Sequence, residues 1–593
     1  MPVTDNQDVV IARDLVRLFP GVTKKAPETR ALDGLSLNIR AGELTALVGP
    51  DGAGKTTFQR LIAGLYEPSS GSLTVLGTDV TADPQSVQNR ISYMPQRFGL
   101  YEDLSVQENL DLYADLHGVP SQVRQERFER LLSITDLSRF TARPAGKLSG
   151  GMKQKLGLAC TLVRSPELLL LDEPSVGVDP LSRRDLWKII EQLVQDEKLS
   201  VIISTAYMDE AERCAQIYVM NHGKVLAAGK PEMLRQKAAG RTWLAVPAQG
   251  TKSRILQAHL LEKRDAIADA VPKGDAVRFI CLSPDDKATP REVNATPREA
   301  ELEDGFMLLL HQAQQHDSTT PAGPVKAEMV SAQSSSNDSD KPVIVVKDLV
   351  RKFGDFTAVA NTSFDVKRGE IFGLLGPNGA GKTTTFRMLC GLLPATSGQL
   401  EVAGMNLRTA RAKARARIGY VSQKFALYGN LSVRDNLTFF GGAYGLSGEK
   451  LNRQIEASLK QFELSPDAIS GELPGGFKQR LSMAVALLHE PEIVFLDEPT
   501  SGIDPLARRL FWYTIGELAN KGITIIITTH FMEEAEYCDR IAIQDAGKLL
   551  ALGTPKEVRQ LAGLDHTADM NTAFIAIVEN SRAQAAKKEH SNE

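Results

Sequence analysis

The sequence has few cysteines, no long apolar run and no excess of one charge. Its five cysteines are scattered and never form a CxxC pair, so we expect neither a disulfide framework nor a zinc or iron–sulfur site. The longest apolar runs, such as ELLLLDEP, are far shorter than the roughly 20 residues that a membrane span needs. The first residues, MPVTDNQDVVIARD, lack the basic and then apolar pattern of a signal peptide. These absences predict a cytosolic protein with no anchor of its own.

The charge balance narrows the possible partners. The net charge is −4 in 593 residues, with 24% charged and 42% hydrophobic residues. Such a composition is ordinary for a globular protein and provides no overall field to attract nucleic acid or anionic lipid.

The sequence does contain an internal repeat. LTALVGPDGAGKTT (44–57) returns as IFGLLGPNGAGKTT (371–384), and LLLLDEPSVGVDPLSRR (168–184) returns as IVFLDEPTSGIDPLARR (493–509). In each half a strand-rich start is followed by a strand, a loop and a helix, then a helical middle, then two apolar strands that each precede a helix. This order predicts two copies of an α/β domain with a parallel sheet and an inserted helical subdomain.

The repeat also defines the domain boundaries. We expect repeat domains over 8–240 and 342–563, and a small accessory α+β domain of unknown role over 241–312. The polar, Ser-rich stretch 313–341 is typical of a flexible linker. Residues 564–593 are expected to form a C-terminal helix and a disordered tail, and MNTAFIAIV in this segment is a short echo of LEDGFMLLL before the linker.

Both halves contain the pattern GxxxxGK[ST] between an apolar strand and a helix. Its glycines allow backbone N–H groups to converge on a phosphate at the helix N-terminus. Lys55 and Lys382 would reach the β- and γ-phosphates of a nucleotide, and Thr56 and Thr383 would hold Mg²⁺. The candidate nucleotide-binding residues are Gly49, Pro50, Asp51, Gly52, Ala53, Gly54, Lys55, Thr56 and Thr57, and then Gly376, Pro377, Asn378, Gly379, Ala380, Gly381, Lys382, Thr383 and Thr384.

Two acidic pairs each end a run of four apolar residues. Asp172–Glu173 and Asp497–Glu498 are therefore expected at the mouth of a buried parallel strand, the edge at which α/β sheets bind ligands. The aspartates would hold Mg²⁺, and the glutamates would act as general bases toward an attacking water. The alternative is an acidic turn that caps the next helix.

Together with LSGGMKQ (148–154), these motifs resemble two ATP-binding-cassette (ABC) ATPase domains fused in one chain, and the likeness covers about 450 of 593 residues. The resemblance implies two P-loop domains in tandem, each with a parallel-sheet core, an antiparallel β subdomain and a helical subdomain. It implies ATP and Mg²⁺ as ligands, with Gln96 and Gln423 beside the metal. It also implies that the two domains close head-to-tail, so that each ATP lies between the P-loop of one domain and the signature loop of the other.

The resemblance assigns further residues and partners. The signature residues are Ser149, Gly150 and Gly151 in one half, and Gly475 and Gly476 in the other. Phe19 and Phe353 stand where the family stacks an aromatic ring on adenine, although either could instead be a core residue of the first hairpin. The arrangement is similar to ATP-binding subunits of bacterial ABC-2 exporters of drugs or cations. Such subunits act on the cytoplasmic face of the inner membrane with two separate permease subunits, and no nucleic-acid partner is expected.

The halves differ at two positions of the expected ATP sites. STAYMDEAERC (204–214) has Ala206 where TTHFMEEAEYC (528–538) has His530, and the family's histidine at this position contacts the γ-phosphate. The second signature reads LPGGF, with Pro474 in place of serine, and proline offers neither a hydroxyl nor a backbone N–H. The alternative for His530 is a capping or surface histidine, and for Pro474 a proline at the first helical position.

In head-to-tail pairing, Ala206 and Pro474 fall in the same composite site. The other composite site would combine Glu498 and His530 with Ser149. The sequence therefore predicts one hydrolytic site and one degenerate site, in which Glu173 still permits slow turnover.

Two other functions remain open from the sequence. The chain could be a tandem-cassette ATPase that acts on ribosomes, and the basic stretch RTARAKARAR (408–417) could contact RNA or anionic lipid. However, the linker is short and not basic, and the basic stretch is better explained as a solvated helix face. A nucleotide-gated scaffold without turnover is the non-enzymatic alternative.

Overall fold

The computed structural model describes residues 7–21, 28–96, 99–263, 265–284, 294–316, 341–565 and 568–590. It divides into two compact units. Unit 1 comprises Met1–Thr242 and Glu299–Thr320, and unit 2 comprises Trp243–Arg298 and Pro321–Glu593. Each unit contains one repeat, called cassette 1 and cassette 2 below.

Cassette 1 contains ten strands and eight α-helices among its described residues. The strands are β1 (Asp8–Phe19), β2 (Thr29–Arg40), β3 (Leu44–Val48), β4 (Ser70–Val75), β5 (Thr78–Asp79), β6 (Ile91–Met94), β7 (Leu168–Asp172), β8 (Ser200–Thr205), β9 (Gln216–Asn221) and β10 (Lys224–Gly229). The helices are α1 (Lys55–Ile62), α2 (Pro84–Gln88), α3 (Val106–Leu116), α4 (Ser121–Ile134), α5 (Gly150–Leu162), α6 (Pro180–Glu197), α7 (Met208–Ala211) and α8 (Pro231–Gln236), with 3₁₀ turns at Ser138–Phe140 and Ala145–Lys147.

The interval after cassette 1 adds four strands and two helices. They are β11 (Thr242–Ala245), α9 (Ser253–Glu262), β12 (Ile267–Lys273), β13 (Ala276–Cys281), β14 (Ala295–Pro297) and α10 (Leu302–His316).

Cassette 2 repeats the element order of cassette 1. Its strands are β15 (Pro342–Phe353), β16 (Phe356–Lys367), β17 (Ile371–Leu375), β18 (Ser397–Val402), β19 (Met405–Asn406), β20 (Ile418–Val421), β21 (Ile493–Asp497), β22 (Thr524–Thr529), β23 (Arg540–Asp545) and β24 (Lys548–Gly553). Its helices are α11 (Lys382–Leu389), α12 (Arg411–Arg415), α13 (Val433–Ala443), α14 (Gly448–Gln461), α15 (Gly475–Leu487), α16 (Pro505–Asn520), α17 (Pro555–Leu561) and α18 (Met570–His590), with 3₁₀ turns at Ser470–Glu472 and Met532–Tyr537.

Each cassette has a six-stranded sheet, in the orders β10-β9-β3-β8-β7-β6 and β20-β21-β22-β17-β23-β24. Apart from the antiparallel edge strands β10 and β24, neighbouring strands in these sheets run parallel. Every residue of β7 and β21 is buried, as expected for parallel strands that are covered on both faces. A four-stranded antiparallel sheet and the helices of the middle segment complete each cassette. The predicted α/β fold with these subdomains is confirmed.

The interval 241–312, which the sequence assigns to one accessory domain, is divided between the units. Strands β11 to β14 form a sheet in the order β12-β13-β11-β14, with its own small core around Phe279 and Leu260. This part, residues 242–298, is called the module below, and all of it after Thr242 belongs to unit 2.

Helix α10 belongs instead to unit 1, where it packs on α8. Phe306 is buried, and the contact is so close that a Cβ on Gly305 would lie 2.1 Å from the carbonyl oxygen of Leu234. In cassette 2, α18 packs on α17 in the same way, which accounts for the sequence echo. Residues 313–316 complete α10 rather than opening the linker, whose residues 317–340 lie outside the described residues.

The structure also bears on the cysteines, metal sites, membrane spans and basic stretch considered from the sequence. All five cysteines are buried and free, and no cluster of metal-ligating side chains occurs among the residues that the structure describes. Within the same residues, no helix is both long enough and apolar enough to cross a membrane. The charged side chains of Lys413 and Arg415 on α12 are exposed.

Candidate functional site

The P-loops join β3 to α1 and β17 to α11. The glycines just before the helices, Gly54 and Gly381, both have φ of 98°, a left-handed conformation that favours glycine. A Cβ there would lie 2.6 Å from the Ala31 carbonyl oxygen or 2.4 Å from that of Ala358. Only glycine fits at these positions, and the N–H groups at each helix start are aligned for an anion.

The two P-loop lysines are buried and bridge their own loops. Lys55 Nζ donates to the carbonyl oxygens of Gly49 (2.7 Å) and Pro50 (3.1 Å). Lys382 makes the same pair of bonds at 2.6 and 3.0 Å. The ammonium groups therefore lie inside the loops, where they can face phosphate oxygens.

The Asp172 carboxylate lies at the end of β7 beside the first P-loop. It accepts hydrogen bonds from Thr56 Oγ1 (3.0 Å), Ser204 Oγ (2.7 Å) and Tyr93 OH (3.1 Å). In unit 2, Asp497 accepts from Thr528 Oγ1 at 2.7 Å. A hydroxyl oxygen beside a carboxylate is the donor set that Mg²⁺ prefers, so the chemistry of Thr56 and Asp172 fits this ion.

Both following glutamates are held in a strained backbone conformation. Glu173 has φ of 48° and Glu498 has φ of 44°, which costs on the order of 1–3 kcal/mol for a residue with a side chain. Each backbone N–H donates to a hydroxyl on the neighbouring strand, Ser204 Oγ or Thr528 Oγ1, at 3.0 Å. Such strain clusters at functional sites, where it aims a side chain.

The two glutamines predicted to lie beside the metal contact these glutamates. Gln96 Nε2 donates to Glu173 Oε2 at 2.7 Å, and Gln423 Nε2 donates to Glu498 Oε2 at 2.7 Å. Since the amide nitrogens are engaged, the side-chain carbonyl oxygens are the atoms that could serve as metal ligands.

The sites differ most at Ala206 and His530. His530 Nδ1 lies 3.1 Å from Glu498 Oε2, and its side chain is only 1% exposed. Its Nε2 has no hydrogen-bond partner among the described residues. His530 is therefore neither a surface residue nor a helix cap, and a buried unpaired ring nitrogen requires a polar partner. Ala206 provides no such group in unit 1.

The carboxyl pKa values of the two glutamates move in opposite directions. Burial raises the pKa of Glu173 to about 7, against the opposing charge of Lys55. Burial also acts to raise the pKa of Glu498, but the hydrogen bond and charge of His530, followed by the charge of Lys382, outweigh it and hold this pKa below its usual value. The histidine thus favours an ionised carboxylate in cassette 2.

The signature loops begin α5 and α15. Ser149 is the N-cap of α5, and its hydroxyl accepts a hydrogen bond from the Met152 N–H at 3.3 Å. Pro474 is the N-cap of α15 and offers no side-chain cap. It is not at the first helical position that the sequence suggested, because Gly475 is the first helical residue. The first signature also packs closely, since a Cβ on Gly151 would lie 2.2 Å from Ser182 Oγ.

The two aromatic candidates have different surroundings. Phe353 is 46% exposed, with the Arg351 guanidinium 4.4 Å from its ring centroid, so it is not a core residue. Phe19 is half-buried and packs edge-on against Tyr66, with ring centroids 5.5 Å apart. Both rings lie at the ends of their first strands, and that of Phe353 is the more accessible.

The sequence analysis did not identify a buried carboxylate beside the candidate site in each cassette. Glu210 accepts from Thr205 Oγ1 at 2.6 Å, and Glu534 accepts from Thr529 Oγ1 at 2.7 Å. Burial raises the pKa of Glu210. The signal was present as a Thr and a Glu at the same spacing in both repeats, STAYMDE and TTHFMEE. These pairs hold the turn that follows β8 and β22, on which Ala206 and His530 lie.

Comparison with known proteins identifies the family of these sites. The ABC transporter family matches residues 32–176 and 359–501. The chain is 48% identical, over 99% of its own length and 100% of the relative's, to the probable multidrug ABC transporter ATP-binding protein YbhF of Escherichia coli. It is 40% identical to a linearmycin resistance ATP-binding protein of Bacillus subtilis, over 40% of this chain and 78% of that protein. It is 43% identical to a Nod factor export ATP-binding protein of Burkholderia lata, over 35% of this chain and 70% of that protein.

Proposed function

Because the chain belongs to the ABC transporter family of ATP-binding proteins and is an ATPase, we propose that it energises an ABC-2 type exporter of drugs or cations. The observation that carries this proposal is the 48% identity over nearly the whole of both chains to a probable multidrug ABC transporter ATP-binding protein. Relatives named for linearmycin resistance and Nod factor export support the export direction. The partners in this proposal are two permease subunits on separate chains.

In the proposed mechanism, cassette 2 contains the hydrolytic apparatus. The P-loop N–H groups and Lys382 bind the phosphates of ATP, and the exposed ring of Phe353 stacks on adenine. Glu498 accepts the proton of the water that attacks the γ-phosphorus. His530 in its protonated form donates through Nδ1–H to the Glu498 carboxylate and through Nε2–H to a γ-phosphate oxygen.

Magnesium is the metal that the donor set fits. Thr56, Asp172 and Gln96 would hold it in cassette 1, and Thr383, Asp497 and Gln423 in cassette 2. When bound, it neutralises the charge that develops on the phosphate oxygens.

The proposed sites are unequal because each one uses two cassettes. When the cassettes close head-to-tail, Ser149, Gly150 and Gly151 complete the site of Glu498 and His530. The second site would join Glu173 to Gly475 and Gly476. In that site Ala206 replaces the histidine donor, and Pro474 replaces the serine donor. Losing one hydrogen bond to a charged group costs roughly 1.5–3 kcal/mol. We therefore propose that the second site binds ATP and hydrolyses it slowly.

The membrane association of the exporter can be tested in cells. We expect the chain to sediment with membranes when its permeases are present and to remain in the supernatant when the permease genes are deleted, because any membrane contact would be made through the permeases. The measurement is immunoblotting of membrane and soluble fractions, followed by identification of co-purifying membrane proteins. If the distribution between membrane and soluble fractions were the same with and without the permease genes, the result would contradict the proposal and favour a ribosomal or scaffold role.

Pairing of the cassettes within one chain can be tested by mass. Cassette 1 paired with cassette 1 has no histidine, and cassette 2 paired with cassette 2 places two histidines opposite Pro474. Only the mixed pair completes a site, and the linker makes its formation intramolecular at an effective concentration of about 1 mM. We expect Glu498→Gln to keep the mass of one chain in light scattering, with and without Mg-ATP. Doubling of the mass on ATP addition would show that cassettes pair between chains.

A further inference from the structure

Within unit 2, the module packs against cassette 2 close to the elements of the candidate hydrolytic site. Arg254 of α9 is its central anchor: it pairs with Asp539, and it donates to Asn520 Oδ1 and to the Gly369 carbonyl oxygen, both at 2.9 Å. The Asp539 carboxylate also accepts from the N–H of Ile371 at 2.9 Å. Since Ile371 begins β17, the module is attached at the base of the strand that leads to the P-loop.

A second contact joins the module to two elements at once. Asp269 of β12 lies 3.2 Å from Arg509 Nε, and both side chains are largely buried. Arg509 lies near the start of α16 and donates through Nη1 to Tyr537 OH at 2.8 Å. The Tyr537 ring stacks on Trp512, with centroids 4.6 Å apart. Asp269 thus fixes an arginine that ties α16 to the end of the 3₁₀ turn after His530.

A third contact reaches the same turn directly. The Gly274 N–H, in the hairpin between β12 and β13, donates to Glu536 Oε2 at 2.7 Å, and Glu536 also pairs with Arg559. The equivalent pair in cassette 1, Glu212 and Arg235, is 39% and 44% exposed, whereas Glu536 and Arg559 are 10% and 1% exposed. The ion pair on the turn after His530 is therefore buried, whereas the equivalent ion pair on the turn after Ala206 is exposed.

Two sequence differences explain why the module selects cassette 2. In the repeat alignment, Asp539, which receives Arg254 and Lys252, corresponds to Ala215. Lys556, which pairs with Asp275 of the module at 2.9 Å, corresponds to Glu232. Cassette 1 would offer no carboxylate to Arg254 and Lys252, and it would place a second carboxylate opposite Asp275.

We propose that the module positions His530 for hydrolysis, with Asp269 and the Gly274 hairpin as its positioning contacts on the turn that follows the histidine. This inference rests on the proposal that cassette 2 contains the hydrolytic site. The accessory module would then set the turnover of one ATP site and leave ATP binding to the P-loops unchanged. Asp269 is a positioning residue, because it acts through Arg509 and Tyr537.

The test compares two substitutions of the same kind in the full chain, Asp269→Asn and Asp265→Asn. We expect Asp269→Asn to lower kcat for ATP about three- to tenfold, with KM and fluorescent ATP-analogue binding unchanged. Asp269→Glu should restore kcat. Asp265→Asn is the matched control, because Asp265 is an exposed carboxylate of the same module that makes none of the contacts with cassette 2 described above, and its kcat should equal that of the wild type.

A second variant separates positioning from a loss of folded protein. Tyr537→Phe removes only the hydroxyl that Arg509 reaches and should also lower kcat, and the double variant with Asp269→Asn should be no slower than the slower single variant. Equal kcat in Asp269→Asn and Asp265→Asn, additive losses in the double variant, or a fall in kcat matched by a fall in the folded fraction would each overturn the inference. Glu498→Gln distinguishes the underlying proposal, because retained activity in that variant would contradict the hydrolytic site itself.

Discussion

Glu498→Gln is expected to reduce steady-state ATP hydrolysis by about 10²- to 10⁴-fold, and Glu173→Gln to leave the larger part of it. The glutamates occupy equivalent positions, with the same strained backbone and the same glutamine contact. They differ in their neighbours, because only Glu498 has His530 at 3.1 Å. Removal of the general base should therefore lower the rate strongly only at the site that also has the His530 and Ser149 donors.

The measurement is phosphate release at saturating Mg-ATP for both variants and the wild type. Glutamine has nearly the same shape as glutamate and can still hydrogen-bond Gln96 or Gln423, so nucleotide binding serves as the control and should be unchanged. Equal losses of activity in the two variants would contradict the asymmetry. Loss of activity in Glu173→Gln alone would place hydrolysis in the other composite site.

The residues of the P-loops and acidic pairs could be located from the sequence because short-range geometry determines them. The turn into α1 needs a left-handed residue just before the helix, with φ of 98° at Gly54, and glycine adopts that conformation without strain. An acidic residue after four apolar ones must lie at the end of a buried strand, as Asp497 does. These constraints act within a few residues and recur in both repeats.

Long-range packing could not be predicted in the same way. The contact of Asp269 with Arg509 joins residues far apart in the chain, and no local pattern marks it. The division of the interval 241–312 depends on which cassette receives each part, and for α10 this is decided by the contact of Gly305 with α8. The alternative for Pro474, the first helical position, differs by one residue from the N-cap position that it occupies, because helix ends are the least determined feature of a sequence pattern.

Three structural differences between the cassettes meet at the turn that follows β8 or β22. Cassette 2 has the histidine, the lowered pKa of Glu498 and the module on its turn. In unit 1 the equivalent turn lacks the histidine, and the pKa of Glu173 is raised to about 7. The asymmetry therefore extends from one side chain to the packing that supports it, as expected if one cassette were specialised for hydrolysis.

His530→Ala is the substitution that tests this specialisation most directly. We expect kcat for ATP to fall about 10²- to 10³-fold, the loss that follows removal of one donor to the transition state. KM should change little, because the P-loop contacts of Lys382 are untouched. The measurement is kcat and KM from phosphate release, with analogue binding as the control for a folded site.

The reciprocal substitution, Ala206→His, supplies the matched comparison. A histidine in cassette 1 should give no measurable gain in rate, because its composite site still contains Pro474, which has neither a hydroxyl nor an N–H to offer. The combination Ala206→His with Pro474→Ser should increase turnover, since it returns both missing donors to one site. If Ala206→His alone restored activity to His530→Ala, the proline would be tolerated and the first site would be limited only by its missing histidine.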